Sequence, residues 1–578
     1  MAKAQYGSDV IVDMLQRFGI EYAALNPGSS YRGLHDSIVN YGGNKPEIIT
    51  CPHEELAVQI AHGYARATGK PMAAIVHNVV GLLHCTMAVY YAHLDRAPVM
   101  VIGATGPMDA SRRRPHIDWN HTALVQGNAV RDYVRWDDQP YSVDAIPDSF
   151  ARGYRIALTH PQGPVYLCYD AAMQEEPLDH DVALIDPRRA QPPTPIMGDP
   201  SALAKVADLL AHAELPVILT EYTGRSRAGY EGLIALAEAA RAPVIDLHER
   251  QNFPNTHPLS AWGTDVLRRA DLVLALDLSD LEGPLTELDR LTRRTVSILP
   301  AGCALVDIGF RDMRANGWSQ EFQKFMEVDH FIHADTSTTL PVLTALVLER
   351  MASDGKLASR ADARRRDIER LHAETRNKWA KESAQDWDAS PVSVPRLSNE
   401  IWQAVREEDW VLCANPLRDT VHKYWEFAQW GRHTGGDLGT ATQIGMNLGI
   451  ALAHRNTGKV VVAVQPDGDL MFDVGALWIA VHDKIPILLV MYNNRAYYND
   501  WEHQISIARA RERDERLAYI GMEIDKPAPD FAAIARGFGW YAEGPIDHGQ
   551  DIGPAVRRGV ERVKAGQPAL IDVITQYR

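Results

Sequence analysis

Apolar residues along this chain fall into two alternating kinds of run. Short, nearly continuous stretches of aliphatic residues, such as Val460 to Val464 and Ile487 to Met491, have the composition of strands buried on both faces. Between them lie longer stretches in which apolar residues recur at helical spacing, as at Leu477, Trp478 and Val481. Strands alternating with helices in this way predict an α/β protein built from doubly wound parallel sheets. Further strand signals are Tyr22 to Leu25, Ile48 to Cys51, Ala73 to His77, Val99 to Gly103 and Val165 to Tyr169. A proline-rich break at Gln191 to Ile196 closes this first set. A second set follows at Val217 to Thr220, Val244 to Leu247, Leu272 to Leu276 and Val296 to Leu299. Arg360 to Lys381 is charged and poor in apolar positions, a surface connector. Pro391 to Pro395 opens the last part. The chain therefore divides into domains at 1–185, 198–350 and 391–578, with a helical linker at 351–390.

Composition narrows the partners. The 578 residues are 46% hydrophobic and 23% charged, as in globular proteins, and the formal charge of −16 disfavours nucleic acid or an anionic membrane surface. No run approaches the roughly 18 apolar residues of a membrane span, and the N-terminus lacks an apolar signal core, so a cytoplasmic location is expected. The five cysteines are scattered and without a CxxC, which favours reduced, structural thiols.

The polar residues that interrupt the last βαβ unit are the most specific feature. Asp467-Gly468-Asp469 follows one strand and Asn493-Asn494 the next, both at C-terminal strand ends where open parallel sheets bind ligands. A carboxylate, an amide oxygen and a helix N-terminus are the groups a magnesium-clamped diphosphate requires, although an ordinary polar turn has the same composition.

This segment resembles the Gly-Asp-Gly to Asn-Asn signature of thiamine-diphosphate (ThDP) enzymes of the decarboxylase and acetolactate-synthase type. Asn26-Pro27-Gly28-Ser29, Glu54 leading into Gly63-Tyr64-Ala65, and Gly163-Pro164-Val165 carry the likeness through the first domain. The resemblance implies pyrimidine-binding, central and diphosphate-binding domains in that order. Asp467, Asn494 and the backbone of Ala496 would hold Mg2+, with Gly468, Asp469 and Leu470 against the diphosphate. Leu438, in Gly435-Gly436-Asp437-Leu438-Gly439, would buttress the bent cofactor. Glu54 would bond the pyrimidine ring of the neighbouring subunit's cofactor, so at least a homodimer, often a homotetramer, is implied. Three positions depart from the family pattern: Pro466, Asp469 and Gln443. An acid beside a diphosphate is electrostatically awkward, so Asp469 is expected to offer its N–H or cap the helix, its carboxylate turned away.

Pocket residues then bear on the reaction. Ser29 and His77 stand where benzoylformate-decarboxylase-like members carry Ser and His; Trp119-Asn120-His121-Thr122 resembles the His-His-Thr of pyruvate decarboxylases; Asp500 falls where those enzymes place an acid. His77, His121 and a desolvated Asp500 would serve as proton carriers. His84 and His93, on a probable helix, are read as structural, and Arg112-Arg113-Arg114 as a solvated loop. The expected activity is decarboxylation of a small-molecule 2-oxo acid with possible carboligation. Alternatives are acetolactate-synthase-type transfer, 2-hydroxyacyl-CoA cleavage, and a cofactor-binding homologue without catalysis. Neither FAD nor an adenine nucleotide is specified for the central domain.

Overall fold

The computed structural model describes the chain except residues 1–2, 290, 315–319, 414–415, 418, 437–438, 440 and 578. Three separate parallel sheets organise it. The first comprises β1 (Tyr22–Leu25), β2 (Glu47–Thr50), β3 (Met72–Ile75), β4 (Val99–Thr105), β5 (Trp136–Asp138) and β6 (Val165–Asp170), in the order β2-β1-β3-β4-β6-β5. The second takes β7 (Pro216–Thr220), β8 (Val244–Asp246) and β9 (Leu272–Leu276). A hairpin of β10 (Thr286–Leu288) and β11 (Thr295–Ser297) intervenes before β12 (Ala304–Gly309) and β13 (His330–His333) complete that sheet as β13-β12-β9-β7-β8. The third contains β14 (Trp410–Leu412), β15 (Val460–Pro466), β16 (Leu488–Asn493), β17 (Tyr541–Ile546) and β18 (Ala569–Ile574), ordered β14-β15-β16-β18-β17.

The predicted strand at Val296 to Leu299 is a correction. Its core is the antiparallel hairpin strand β11, outside the central sheet, and Val296 is 68% exposed. β12 and β13 were not among the predicted strands. β12 carries a fully buried Asp307 in its middle, which breaks the apolar run and is held by the Arg311 guanidinium at 3.0 Å. The charged run of the linker is one helix, Gly355–Glu382, anchored by a few buried positions such as Ile368 and Trp379.

The first and third sheets share a core through one close helix crossing. Helix Glu54–Thr68 meets helix Gln443–His454 so tightly that a Cβ on Gly63 would lie 2.0 Å from the Met446 carbonyl oxygen. A Cβ on Gly449 would lie 2.1 Å from the Ile60 carbonyl, so glycine on both helices lets the backbones touch. Cys51 and Cys413 are buried within the apolar cluster that spans this crossing. The same helix grips the loop of the third sheet: Arg66 donates to the carbonyls of Thr434 (2.8 Å) and Gly436 (2.9 Å), and Gln59 to that of Ala441 (3.0 Å). Leu438 lies in this loop but outside the described residues.

Candidate functional site

The register of β15 with β16 pairs Pro466 with Tyr492 and so delivers Asp467 and Asn493-Asn494 to the same level of the sheet edge. Asp467 is 2% exposed. Its carboxylate accepts the Ala496 N–H at 3.2 Å, and the Asn494 side-chain oxygen accepts the same N–H at 3.0 Å. Two oxygens from adjacent strands thus converge on one donor. Arg495 makes this possible by adopting φ +57°, turning the following N–H back toward the strand ends. Burial pushes Asp467 up to about 6, against the opposing backbone N–H groups of Gly468, Arg495 and Ala496; no cation contributes among the described residues. A buried carboxylate held by backbone donors, beside an amide oxygen, has the donor set of a hard divalent cation.

Around this pair, Gly468 is required by close approach, since a Cβ there would sit 2.6 Å from the Tyr497 ring. Leu470 is fully buried. The carboxylate of Asp469 is engaged elsewhere: it accepts from the Ala441 N–H (2.6 Å) and from Gln465 Nε2 (2.8 Å), tying the turn to the Gly435–Ala441 loop. Gln443, one of the departures from the family pattern, donates its amide to the Val464 carbonyl of β15.

The first-sheet cluster gathers at the ends of β1 and β3. His53 caps helix Glu54–Thr68, its Nδ1 accepting the Glu55 N–H, which leaves Glu54 at the first helical position and 6% exposed. Gly81 packs against this carboxylate, a Cβ falling 2.9 Å from Glu54 Oε1. His84 Nδ1 lies 3.2 Å from Glu54 Oε2, and the His53 and His84 rings stack at 5.0 Å. His84 is therefore not a bystander, contrary to the expectation. His77 follows β3, with Nδ1 at 2.8 Å from Ser30 Oγ and its ring 5.2 Å from that of His121. Burial lowers the His77 pKa, and His121 lowers it further. Asn78 Nδ2 donates to Thr122 Oγ1 at 3.0 Å, which holds the His121 segment in place.

The serine on His77 is Ser30, not its neighbour Ser29. Ser29 is half-buried and its carbonyl accepts from Arg114 Nη1 (3.1 Å), whose Nη2 also bonds Asp118. Arg114 is thus part of this cluster rather than a solvated loop. It borders a cavity of about 460 Å³ with Met108, Trp119, Thr122 and Leu124. Asp500 is exposed in the first turn of helix Tyr498–Ala510, so the single chain does not desolvate its carboxyl group. Tyr498 stacks on Tyr577 at 4.6 Å, and Trp501 packs edge-on against the same ring at 5.2 Å. Ser30, Asn78 and His84 carried no recognisable signal: each is a common polar residue whose partner is distant in sequence.

Three parallel sheets with a cation-ready carboxylate at one strand edge and a buried glutamate among imidazoles at another define a diphosphate-cofactor enzyme. Residues 5–124 match the thiamine pyrophosphate enzyme N-terminal TPP-binding domain, and residues 420–573 the C-terminal TPP-binding domain. A probable acetolactate synthase of Oryza sativa subsp. japonica is 24% identical over 99% of this chain and 83% of its own length. A probable 2-ketoarginine decarboxylase of Pseudomonas aeruginosa is 24% identical over 94% of this chain and 90% of its own. The crystal structure of benzoylformate decarboxylase from Polynucleobacter necessarius shares the fold, with TM-score 0.76 and 18% identity over 100% of this chain and 99% of that one. Through these two domains the chain belongs to the thiamine-diphosphate-dependent enzymes.

Proposed function

We propose that the protein is a magnesium- and ThDP-dependent decarboxylase of a 2-oxo acid, with carboligation as a possible outcome. Asp467, the Asn494 side-chain oxygen and the Ala496 carbonyl would hold Mg2+, and the backbone of Gly468, Asp469 and Leu470 would face the diphosphate. Leu438 would support the cofactor from below. The bound cofactor supplies the electron sink for the pair released with carbon dioxide.

This chain's own residues would do the rest. Glu54 would hold a proton at Oε1 or Oε2 against the pyrimidine ring of the neighbouring subunit's cofactor. His77, neutral near neutral pH, would accept or donate at its ring nitrogens, with Ser30 fixing its orientation. His121 would share that work. Ser29 and Arg114 would receive the substrate carboxylate, and the cavity beside Trp119 would take the acyl chain. Asp500 would join only when a second subunit covers it, so a homodimer is part of the reading, and a homotetramer is consistent with it.

The observation that carries the decarboxylase reading is the His77–His121 pair with Ser30 at hydrogen-bond distance, in electrostatic reach of Glu54. Purified protein with ThDP and Mg2+ should release carbon dioxide from a member of a panel of aliphatic, aromatic and CoA-linked acids. No release from any of them would overturn the reading. Similarity to the rice acetolactate synthase over nearly the whole chain favours a second reading, transfer to another oxo acid. Pyruvate alone separates the two: acetaldehyde marks the first and acetolactate the second. Among the described residues no helix is long and apolar enough to cross a membrane.

A further inference from the structure

A segment outside helix and sheet is held on its course by the partners its backbone groups find. The loop that enters helix Gln443–His454 finds them in another domain. Arg66, fully buried in the last turn of helix Glu54–Thr68, spreads one guanidinium over three carbonyls. Its Nε donates to Thr434 (2.8 Å), its Nη1 to Gly436 (2.9 Å) and its Nη2 to Glu249 of the central domain (3.1 Å). Gly435, between the two loop carbonyls, lies against the same group. Its φ is +122°, and a Cβ there would fall 2.1 Å from Arg66 Nη2. The charge is matched by Asp95, whose Oδ2 lies 3.3 Å from Nε and also meets His62 Nε2 at 2.7 Å. Burial alone would raise the Asp95 carboxyl group; Arg66 and Arg250 instead hold it well below the usual carboxylate range, so the counter-ion stays ionised. The other stem of the loop is fixed by the same helix. Gln59, about two turns earlier, donates to the Ala441 carbonyl at 3.0 Å, while Asp469 takes the Ala441 N–H at 2.6 Å. Both ends of the Gly435–Ala441 segment are therefore set by groups outside it.

We propose that Arg66 is a positioning residue for cofactor binding: from the first domain it sets where the segment carrying Leu438 lies, and so acts on the bent cofactor through Leu438. This rests on the reading of Leu438 as the cofactor's support. Arginine suits the task and lysine does not. Three carbonyls around one plane call for a rigid fork of five N–H donors. An ammonium on a flexible stem keeps the charge beside Asp95 but cannot reproduce that fork. The guanidinium is enclosed by its own chain, so the arrangement is complete without a partner subunit.

The test titrates the full-length protein with two probes in the presence of Mg2+, read by calorimetry. ThDP would rest on a support beneath the bent cofactor; inorganic pyrophosphate would not. Arg66→Lys should weaken ThDP by about tenfold, the cost of one lost hydrogen bond to a charged group, and leave pyrophosphate affinity unchanged. Leu438→Ala should show the same split. In the double variant the two losses should not add, because one side chain acts through the other. Gln59→Met removes no charge; it should repeat the split more weakly, and it carries the same test should Arg66→Lys fail to fold by far-UV circular dichroism. Unchanged ThDP affinity in a folded Arg66→Lys protein, equal losses for both probes in either variant, or additive losses in the double variant would each overturn the proposal and leave Arg66 a structural tie between domains. Wild-type ThDP affinity in Leu438→Ala would instead bring down the reading of Leu438, and the positioning role with it.

Discussion

The two ends of the candidate site each bury one carboxylate, and they surround it differently. Among the described residues, Asp467 accepts from backbone N–H groups of its own turn and of Arg495-Ala496, with the Tyr577 hydroxyl in electrostatic reach. Glu54 is met by an imidazole and by the bare backbone of a glycine. Backbone donors cannot exchange their protons on a catalytic timescale, and they hold a carboxylate still; an imidazole can take a proton and pass it on. The first arrangement suits holding a cation, the second moving a proton. The same residue class, an acid at a strand end or helix start, is thereby given two tasks by its neighbours alone.

The contrast breaks most sharply at Glu54. Glu54→Gln keeps size and burial and removes the exchangeable proton. Turnover should fall by about a thousandfold, within the range for a general acid–base group, while ThDP affinity, followed by fluorescence quenching, stays close to wild type. Comparable losses of affinity and rate would mean that Glu54 serves binding rather than proton transfer. Asp467→Asn should do the reverse. Mg2+-dependent retention of ThDP through gel filtration should weaken by at least about a hundredfold, the upper end of what loss of a ligand's mere supporting partner costs. Retention unchanged by this substitution would remove Asp467 from the metal site.

His77 sharpens the proton side of the comparison. Its folded-state pKa lies below the usual histidine value because burial disfavours the cation. It is therefore neutral at pH 7, and the unfolded chain binds its proton more readily, so its charge destabilises the fold as pH falls below about 6.5. The acid limb of kcat/KM should fall below that value in the wild type, and His77→Phe should erase that limb while lowering kcat by roughly a hundredfold. A limb that persists unchanged in His77→Phe belongs to another group.

The diphosphate end was legible in the sequence because its determinants are local: strand, acidic turn, helix, strand and amide pair occupy one crossover, and the register follows from that order. Glu54 was singled out by its spacing to Gly63, and His77 by its likeness to a histidine position of benzoylformate-decarboxylase-like members. What escaped were residues defined by a partner far along the chain. Ser30 finds His77, and Arg114 finds Ser29, only once β1, β3 and the loop after β4 converge. Asp469 was expected to face away from the diphosphate. Its actual commitment, to the Ala441 N–H and Gln465, depends on how the Gly435–Ala441 loop is gripped by Arg66 and Gln59 from the first domain. β12 was hidden for a different reason, since a fully buried aspartate in its centre defeats any reading based on apolar runs.

The smallest expected effect separates the two carboxylates by pH. Asp467 rises from 3.8 to about 6 on folding, so the folded state binds its proton more tightly than the unfolded chain does. Its contribution to stability is fully present below the unfolded value and is lost as pH rises through about 6. Above that pH the cofactor-free protein carries a buried, uncompensated carboxylate, a burden on the order of 3 kcal/mol. A divalent cation at Asp467 and Asn494 would reverse the sign, because it favours the ionised form. The melting-temperature gain from adding Mg2+ and ThDP should therefore grow between pH 5 and pH 7.5 by a few degrees. The comparison must be between loaded and empty protein at each pH, since Asp483 and Asp572 are also pushed up to about 6 by burial and shift both states alike. In Asp467→Asn the gain should be small and flat with pH, and the empty protein should melt higher than wild type at pH 7.5. A gain in the wild type that shrinks toward alkaline pH would mean that the cation is held elsewhere.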